Sequence, residues 1–156
     1  MRISLVVQLS VFVGLAITTP AFAREKKIQR ADLPAAVEKT VAAQSEGAEI
    51  KGLSVEKEDG QTLYEAKMMV DGHSKDVSMS ADGAIVEVEQ QVTLDSLTPA
   101  VQAGLLAKAG KGKVVKVESL TKRGALVAYE AQVVTEGKKK SEVQVGPDGK
   151  PLSHEE

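Results

Sequence analysis

Four short sequence landmarks occur twice in this chain, in the same order and at nearly constant spacing. Three of the pairs are separated by 65 residues and the fourth by 66. Similarity at a fixed period is typical of a chain built from repeated structural units. We therefore predict two copies of one unit, residues 24–91 and 92–156, with a seam near Gln90 to Ser96; chance similarity between short matches is the alternative. The pairs are Pro34-Ala35 and Pro99-Ala100, Tyr64-Glu65-Ala66 and Tyr129-Glu130-Ala131, Asp71-Gly72 and Glu136-Gly137, and Asp82-Gly83 and Asp148-Gly149.

Residues 1–23 differ in character from the rest of the chain. Arg2 precedes a mostly apolar run from Ile3 to Ile17, and Ala21-Phe22-Ala23 places small residues where signal peptidase requires them. An uncleaved membrane anchor is the alternative, but the apolar run is shorter than the ~20 residues that span a bilayer. We therefore predict a signal peptide cleaved after Ala23 and a periplasmic or secreted protein without a stable membrane span.

Each predicted unit begins with a helix and continues with strands. Asp32 and Thr98 are suitable N-cap residues, each followed closely by a proline that the first helical turn tolerates. Beyond each helix the apolar residues alternate with polar ones, and Asp-Gly pairs suited to tight hairpins separate the runs. The predicted fold class is α+β: two tandem helix-plus-antiparallel-meander units, with the helices packed on one face of a joined antiparallel sheet.

Composition removes several classes of function. The chain has no Cys, which excludes thiolate nucleophiles and Cys-ligated metals, and its two histidines, His73 and His154, have no predicted reason to meet. With 20 Lys and Arg against 22 Asp and Glu, the charge gives no reason to expect a nucleic acid partner. We predict that the protein is not an enzyme and has no catalytic residues, no cofactor and no metal site.

Strand alternation divides the polar and apolar residues between two sheet faces. Tyr64 and Tyr129 share their sides with small and aliphatic residues and are predicted to point toward the helices. The opposite side of the same strands is the candidate surface for a protein partner, and an ordinary solvated sheet surface is the alternative. The candidate residues are Glu65, Lys67, Met69, Glu130, Gln132 and Val134.

The order of strand, glycine turn, strand and Asp-Gly turn resembles the PepSY and PepSY-like domains of exported bacterial proteins. The resemblance is carried by Tyr64 to Gly72 and Val77 to Ile85, and in the second copy by Tyr129 to Gly137 and Val143 to Gly149. It implies a tandem arrangement similar to that of proteinaceous β-lactamase inhibitors. It also implies an inhibitory or protein-binding role outside the cytoplasm, and it supplies no catalytic residues.

Two functional hypotheses follow. The first is an exported, non-enzymatic binding or inhibitory module that acts by surface complementarity on an extracytoplasmic protein, for example a peptidase or another enzyme. The alternative is a periplasmic protein that binds a small ligand or a divalent cation, either in a cleft between helices and sheet or at the junction of the two units.

Overall fold

Eight strands form one antiparallel sheet in which each strand pairs with the next along the chain. The computed structural model describes residues 25–58 and 60–156, and the signal peptide predicted for residues 1–23 lies outside the described residues. Two helices and two short 3₁₀ turns interrupt the strands. The strands are β1 (Lys26–Lys27), β2 (Glu49–Glu58), β3 (Gln61–Val70), β4 (His73–Ser80), β5 (Ile85–Val92), β6 (Lys113–Lys122), β7 (Ala125–Val134) and β8 (Lys140–Val145). The helices are α1 (Ala35–Gln44) and α2 (Pro99–Ala109), and the 3₁₀ turns are Arg30–Asp32 and Leu94–Ser96.

The prediction of two tandem helix-plus-meander units is wrong. β5 pairs with β6 from Glu87 opposite Lys122 to Val92 opposite Val117, so the strands of both halves belong to a single eight-stranded sheet with two helices. A separate meander would leave a row of unpaired backbone N–H and C=O groups at this edge, and the β5–β6 pairing satisfies them. The boundary predicted at 91/92 lies at the end of β5, and the division into two sequence copies stays a prediction.

The two helices begin differently. In α2 the Thr98 hydroxyl accepts a hydrogen bond from the Val101 N–H at 3.4 Å, and Pro99 occupies the first turn, as the sequence predicts. In α1 the N-cap position is Pro34, which offers no side-chain cap. Asp32 instead accepts a hydrogen bond from the Gln29 N–H at 2.9 Å and caps the 3₁₀ turn before the helix.

Each helix covers an apolar cluster on the sheet. Both clusters lie on the same face of the sheet, because Val88 packs against the first, Val92 packs against the second, and these two residues share one face of β5. The first cluster contains Val37, Val41, Ala66, Met68, Val77 and Met79; the second contains Leu97, Val101, Leu105, Val117, Ala131 and Val145. The opposite face of the sheet, which no helix covers, is called the open face below.

Turn glycines hold the far ends of the strands against the helices. Gly83 has φ +81°, and a Cβ atom built there would lie 2.5 Å from the Ala36 carbonyl oxygen in the first turn of α1. The Thr40 hydroxyl donates a hydrogen bond of 2.7 Å to the Gly83 carbonyl. Gly149 approaches the Ala100 carbonyl of α2 in the same way. These contacts fix each helix on its cluster.

Neither helix has the length and apolar character needed to cross a bilayer, and no other described segment forms such a helix.

Candidate functional site: the open face of the sheet

Polar and charged side chains from six neighbouring strands form cross-strand rows on the open face. One row runs from Lys67 through Asp76 and Glu89 to Leu120 and Ala128. A second row joins Glu65, Ser78, Glu87 and Lys122. A third row joins Gln91, Glu118, Glu130 and Gln144. The rows cross β5 and β6, so the open face is continuous between the two halves of the chain.

Hydrogen bonds hold the side chains at both ends of the third row. The Ser74 N–H donates to Gln91 Oε1 at 3.1 Å, and the Ser74 hydroxyl donates to Glu118 Oε1 at 3.4 Å. At the other end, the Gln144 side-chain amide donates to Glu130 Oε2 at 2.8 Å. Glu118 and Gln144 are buried, although no helix covers this face. Buried polar groups are normally hydrogen-bonded, and this network meets that requirement.

Carboxylates on the open face lie opposite one another. Asp76 is the cross-strand neighbour of Glu89, and Glu118 is that of Glu130. Like charges directly opposite each other destabilise a sheet. Lysines offset part of this repulsion. Lys116 Nζ lies 2.6 Å from Glu118, Lys67 lies 3.3 Å from Glu65, and Lys122 lies 3.6 Å from Glu87.

Burial and neighbouring charges raise the pKa values of three carboxyl groups on the open face. Burial, followed by the negative charges of Glu87 and Glu118, raises the pKa of Glu89 from its usual 4.5 to about 8. Burial and the charge of Glu65 raise the pKa of Asp76, while Lys67 and Lys116 partly oppose this. Burial also raises the pKa of Glu130, against the hydrogen bond from Gln144. The centre of the open face therefore holds acidic groups whose ionised forms are disfavoured, mainly by burial.

The raised pKa of Glu89 predicts a pH dependence of stability. The folded state keeps a proton that the unfolded chain releases near pH 4.5, so this group stabilises the protein at low pH and the contribution is lost as pH rises to about 8. Glu89→Gln keeps a neutral group at this position. We compare the free energy of unfolding of the variant with that of the wild type. Because solvent screens a half-buried site, we expect this difference to favour the variant by about 1 kcal/mol more at about pH 9 than at about pH 4.

Urea denaturation at several pH values measures this difference. Glu142→Gln is the matched control, because Glu142 is an exposed glutamate of β8. If Glu89→Gln and the wild type lose stability equally between the two pH values, Glu89 does not hold the proton.

The predicted partner-facing residues occupy two separate strands of the open face. Those of β3, namely Glu65, Lys67 and Met69, lie on the side of β1 and β2. Those of β7, namely Glu130, Gln132 and Val134, lie beside β8. Three strands separate the two groups, so the structure places them on one face without bringing them together. Their role in binding stays a prediction.

Sequence reasoning missed the middle of the open face. Asp76, Glu89 and Glu118 lie on β4, β5 and β6 between the two predicted groups. Alternation of Glu87, Glu89 and Gln91 along β5 placed these residues on one side of a strand, which is also typical of a solvated surface. Their mutual proximity depends on the β4–β5 and β5–β6 registers, and those registers cannot be read from a single sequence.

The tyrosines and histidines lie away from the open-face rows. Tyr64 packs against the first apolar cluster and Tyr129 against the second, and both are half-buried. His73 is exposed, with Nδ1 3.2 Å from the Asp71 carbonyl oxygen. His154 is exposed and lies 3.6 Å from Glu156. The two histidines form no common site with each other.

Two cavities bear on the small-ligand alternative. One of about 540 Å³ lies beside β2, against the segment that contains Ile28 and Arg30. Another of about 240 Å³ lies near the predicted seam, where Leu94 and Val115 contribute to its lining. Within residues 25–58 and 60–156, no three His, Asp or Glu side chains are arranged so that they could hold a metal ion. Binding of a small ligand stays a prediction.

Comparison with solved structures shows a shared fold. A DUF2874 family protein from Bacteroides ovatus superimposes with a TM-score of 0.60 and 22% identity, covering 78% of this chain and 85% of that one. A proposed periplasmic protein from Bacteroides eggerthii superimposes with a TM-score of 0.62 and 21% identity, covering 77% of this chain and 86% of that one. A BLIP-like protein from Bacteroides fragilis superimposes with a TM-score of 0.55 and 19% identity, covering 75% of this chain and 81% of that one. The chain therefore has the fold of DUF2874 and BLIP-like proteins.

No protein-family model matches the sequence, and no curated protein is significantly similar to it. The resemblance to PepSY domains and the tandem copies accordingly stay predictions.

Proposed function

We propose that this chain is an exported, non-enzymatic protein-binding module of the periplasm or extracellular space, and that its open face receives the partner. The partner is an extracytoplasmic protein, such as a peptidase or another enzyme that the module inhibits by covering it. A BLIP-like protein and a proposed periplasmic protein with the same fold support this role and location. The absence of Cys and the separation of the two histidines agree with binding that involves no covalent step.

The observation that carries this proposal is the unbalanced charge of the open face. The three cross-strand rows contain six acidic side chains and two lysines, and Lys116 beside Glu118 adds a third lysine. Partner surfaces are complementary in charge, and a basic partner would relieve the repulsion between Glu118 and Glu130 and would favour ionisation of Glu89 beside Asp76. We therefore expect a partner that presents Lys or Arg side chains to the middle of the sheet.

Charge reversal at the centre of the open face tests this function. Glu89→Lys places a cation beside Asp76 and Glu87, which can accommodate it in the free protein, whereas a basic partner would now be repelled. We expect the affinity for the partner to fall about tenfold or more, the equivalent of about 1.4 kcal/mol. The partner is isolated by cross-linking to the wild-type chain in periplasmic extract, and its affinity is then measured with purified protein.

The matched control is Glu46→Lys. This exposed residue follows α1, on the helix side of the sheet, and the substitution also replaces a glutamate by a lysine. Retained affinity in Glu46→Lys with loss in Glu89→Lys supports docking on the open face. Equal affinity in both variants, or equal loss in both, contradicts it.

A further inference from the structure

The segment that follows β8 folds back over the open face. Pro151 forms an isolated antiparallel bridge with Val145, and the chain then continues across the sheet. The Glu156 N–H donates a hydrogen bond of 2.8 Å to Gln144 Oε1, and the Glu156 carboxylate lies 3.4 Å from Lys122 Nζ on β6. Residues 152–156, called the strap here, therefore connect β8 to β6 above β7.

Side chains in the strands below the strap are buried without any helix to cover them. Leu120 of β6 is 5% exposed and Ala128 of β7 is fully buried, and neither belongs to the clusters under α1 and α2. Both lie on the open face, in the row that contains Glu89. Gln144, which accepts the Glu156 hydrogen bond, is 7% exposed.

The contacts that hold the strap on the open face are weak. It carries Glu155 and Glu156 over a face that already has excess negative charge, and the charge of Glu155 acts against ionisation of Glu130. Its cationic anchor, Lys122, is shared with Glu87 at 3.6 Å. A partly exposed ion pair contributes about 0–1 kcal/mol, so local opening of the strap costs little compared with unfolding of the sheet.

We propose that the strap competes with the partner for the open face and must be displaced before the partner can bind. This inference rests on the proposed function. Displacement of the strap removes the charges of Glu155 and Glu156 from the open face and leaves Lys122 paired with Glu87. Contacts between basic side chains of the partner and the remaining carboxylates would compensate for the lost Glu156 contacts. Only molecules in which the strap is displaced can bind the partner. The apparent affinity is therefore the intrinsic affinity multiplied by the fraction of molecules with a displaced strap.

Glu156→Pro tests the strap within the intact protein, since proline removes both the side-chain carboxylate and the N–H that donates to Gln144. Without any partner, we expect the side-chain amide protons of Gln144 to exchange with solvent about tenfold faster. The NMR signals of Leu120 and Ala128 should shift, and the pKa of Glu130 should fall as its burial and the charge of Glu155 are removed. Ser153→Ala is the control, because this exposed hydroxyl contacts His154 rather than Glu156, Gln144 or Lys122.

The second measurement is the affinity for the isolated partner. We expect Glu156→Pro to bind about five- to tenfold more tightly than the wild type, and Ser153→Ala to bind as the wild type does. Unchanged exchange and chemical shifts in Glu156→Pro overturn the strap itself, whether or not a partner exists. If the Gln144 amide protons exchange faster in Glu156→Pro but its affinity for the partner is unchanged or weaker, the strap does not compete with the partner. That result leaves docking on the open face unaffected. Loss of open-face docking is detected separately by Glu89→Lys.

Discussion

Leu105→Ala is expected to destabilise the protein by about 2–5 kcal/mol. Leu105 is fully buried in the cluster between α2 and the sheet, and Leu97 and Val101 are the other α2-side residues of that cluster. Truncation to alanine removes apolar area from the interior and leaves a cavity that surrounding side chains fill only in part.

Chemical denaturation followed by circular dichroism measures this loss. The matched control is Leu106→Ala, one residue further along α2, where the side chain is 49% exposed. We expect that variant to lose less than about 1 kcal/mol, since surface substitutions have small effects. Equal destabilisation by the two substitutions would show that α2 is rotated from the orientation described above.

Gly83→Ala is expected to cost about 2–4 kcal/mol, for two reasons that add. The backbone at Gly83 has φ +81°, which is unfavourable by about 1–2 kcal/mol for a residue with a Cβ atom. The new Cβ would also lie 2.5 Å from the Ala36 carbonyl oxygen, so the turn must move away from α1. That movement lengthens the 2.7 Å hydrogen bond from Thr40 to the Gly83 carbonyl, whose loss costs about 1 kcal/mol.

Gly72→Ala separates the two contributions. Gly72 has a nearly identical φ of +82°, and no atom beyond its two chain neighbours lies within 4 Å of the position its Cβ would occupy. We expect it to lose about 1–2 kcal/mol from backbone strain alone. The difference in thermal unfolding between the variants measures the packing of the turn on α1. A loss for Gly72→Ala as large as that for Gly83→Ala would contradict this packing.

Local features of the fold could be predicted from the sequence because short-range physics determines them. Thr98 and Pro99 correctly indicated the start of α2, and the Asp71-Gly72 turn adopts positive φ at both residues, as a tight hairpin requires. The hairpin turn between β6 and β7 was missed: Arg123 and Gly124 also adopt positive φ, but arginine is not a residue that usually indicates such a turn.

The register between neighbouring strands could not be predicted from the sequence. Alternation assigns a residue to one side of its strand, but it gives no information about which strand lies alongside. The β5–β6 pairing is a contact between segments separated by α2, and it determines that Glu89 lies opposite Leu120 and that Gln91 lies opposite Glu118. Sequence reasoning therefore found the outer parts of the open face on β3 and β7 and missed the carboxylates between them.

The spatial order of the eight strands repeats their order along the chain. Every pairing therefore closes a short or moderate length of polypeptide, the longest ones enclosing α1 or α2. Closure of short loops is fast, and folds dominated by local pairing reach the native state sooner than β proteins whose strands cross over one another. Newly synthesised chains can thus pair their strands from any hairpin outward, which limits the time during which unpaired edges are available for aggregation.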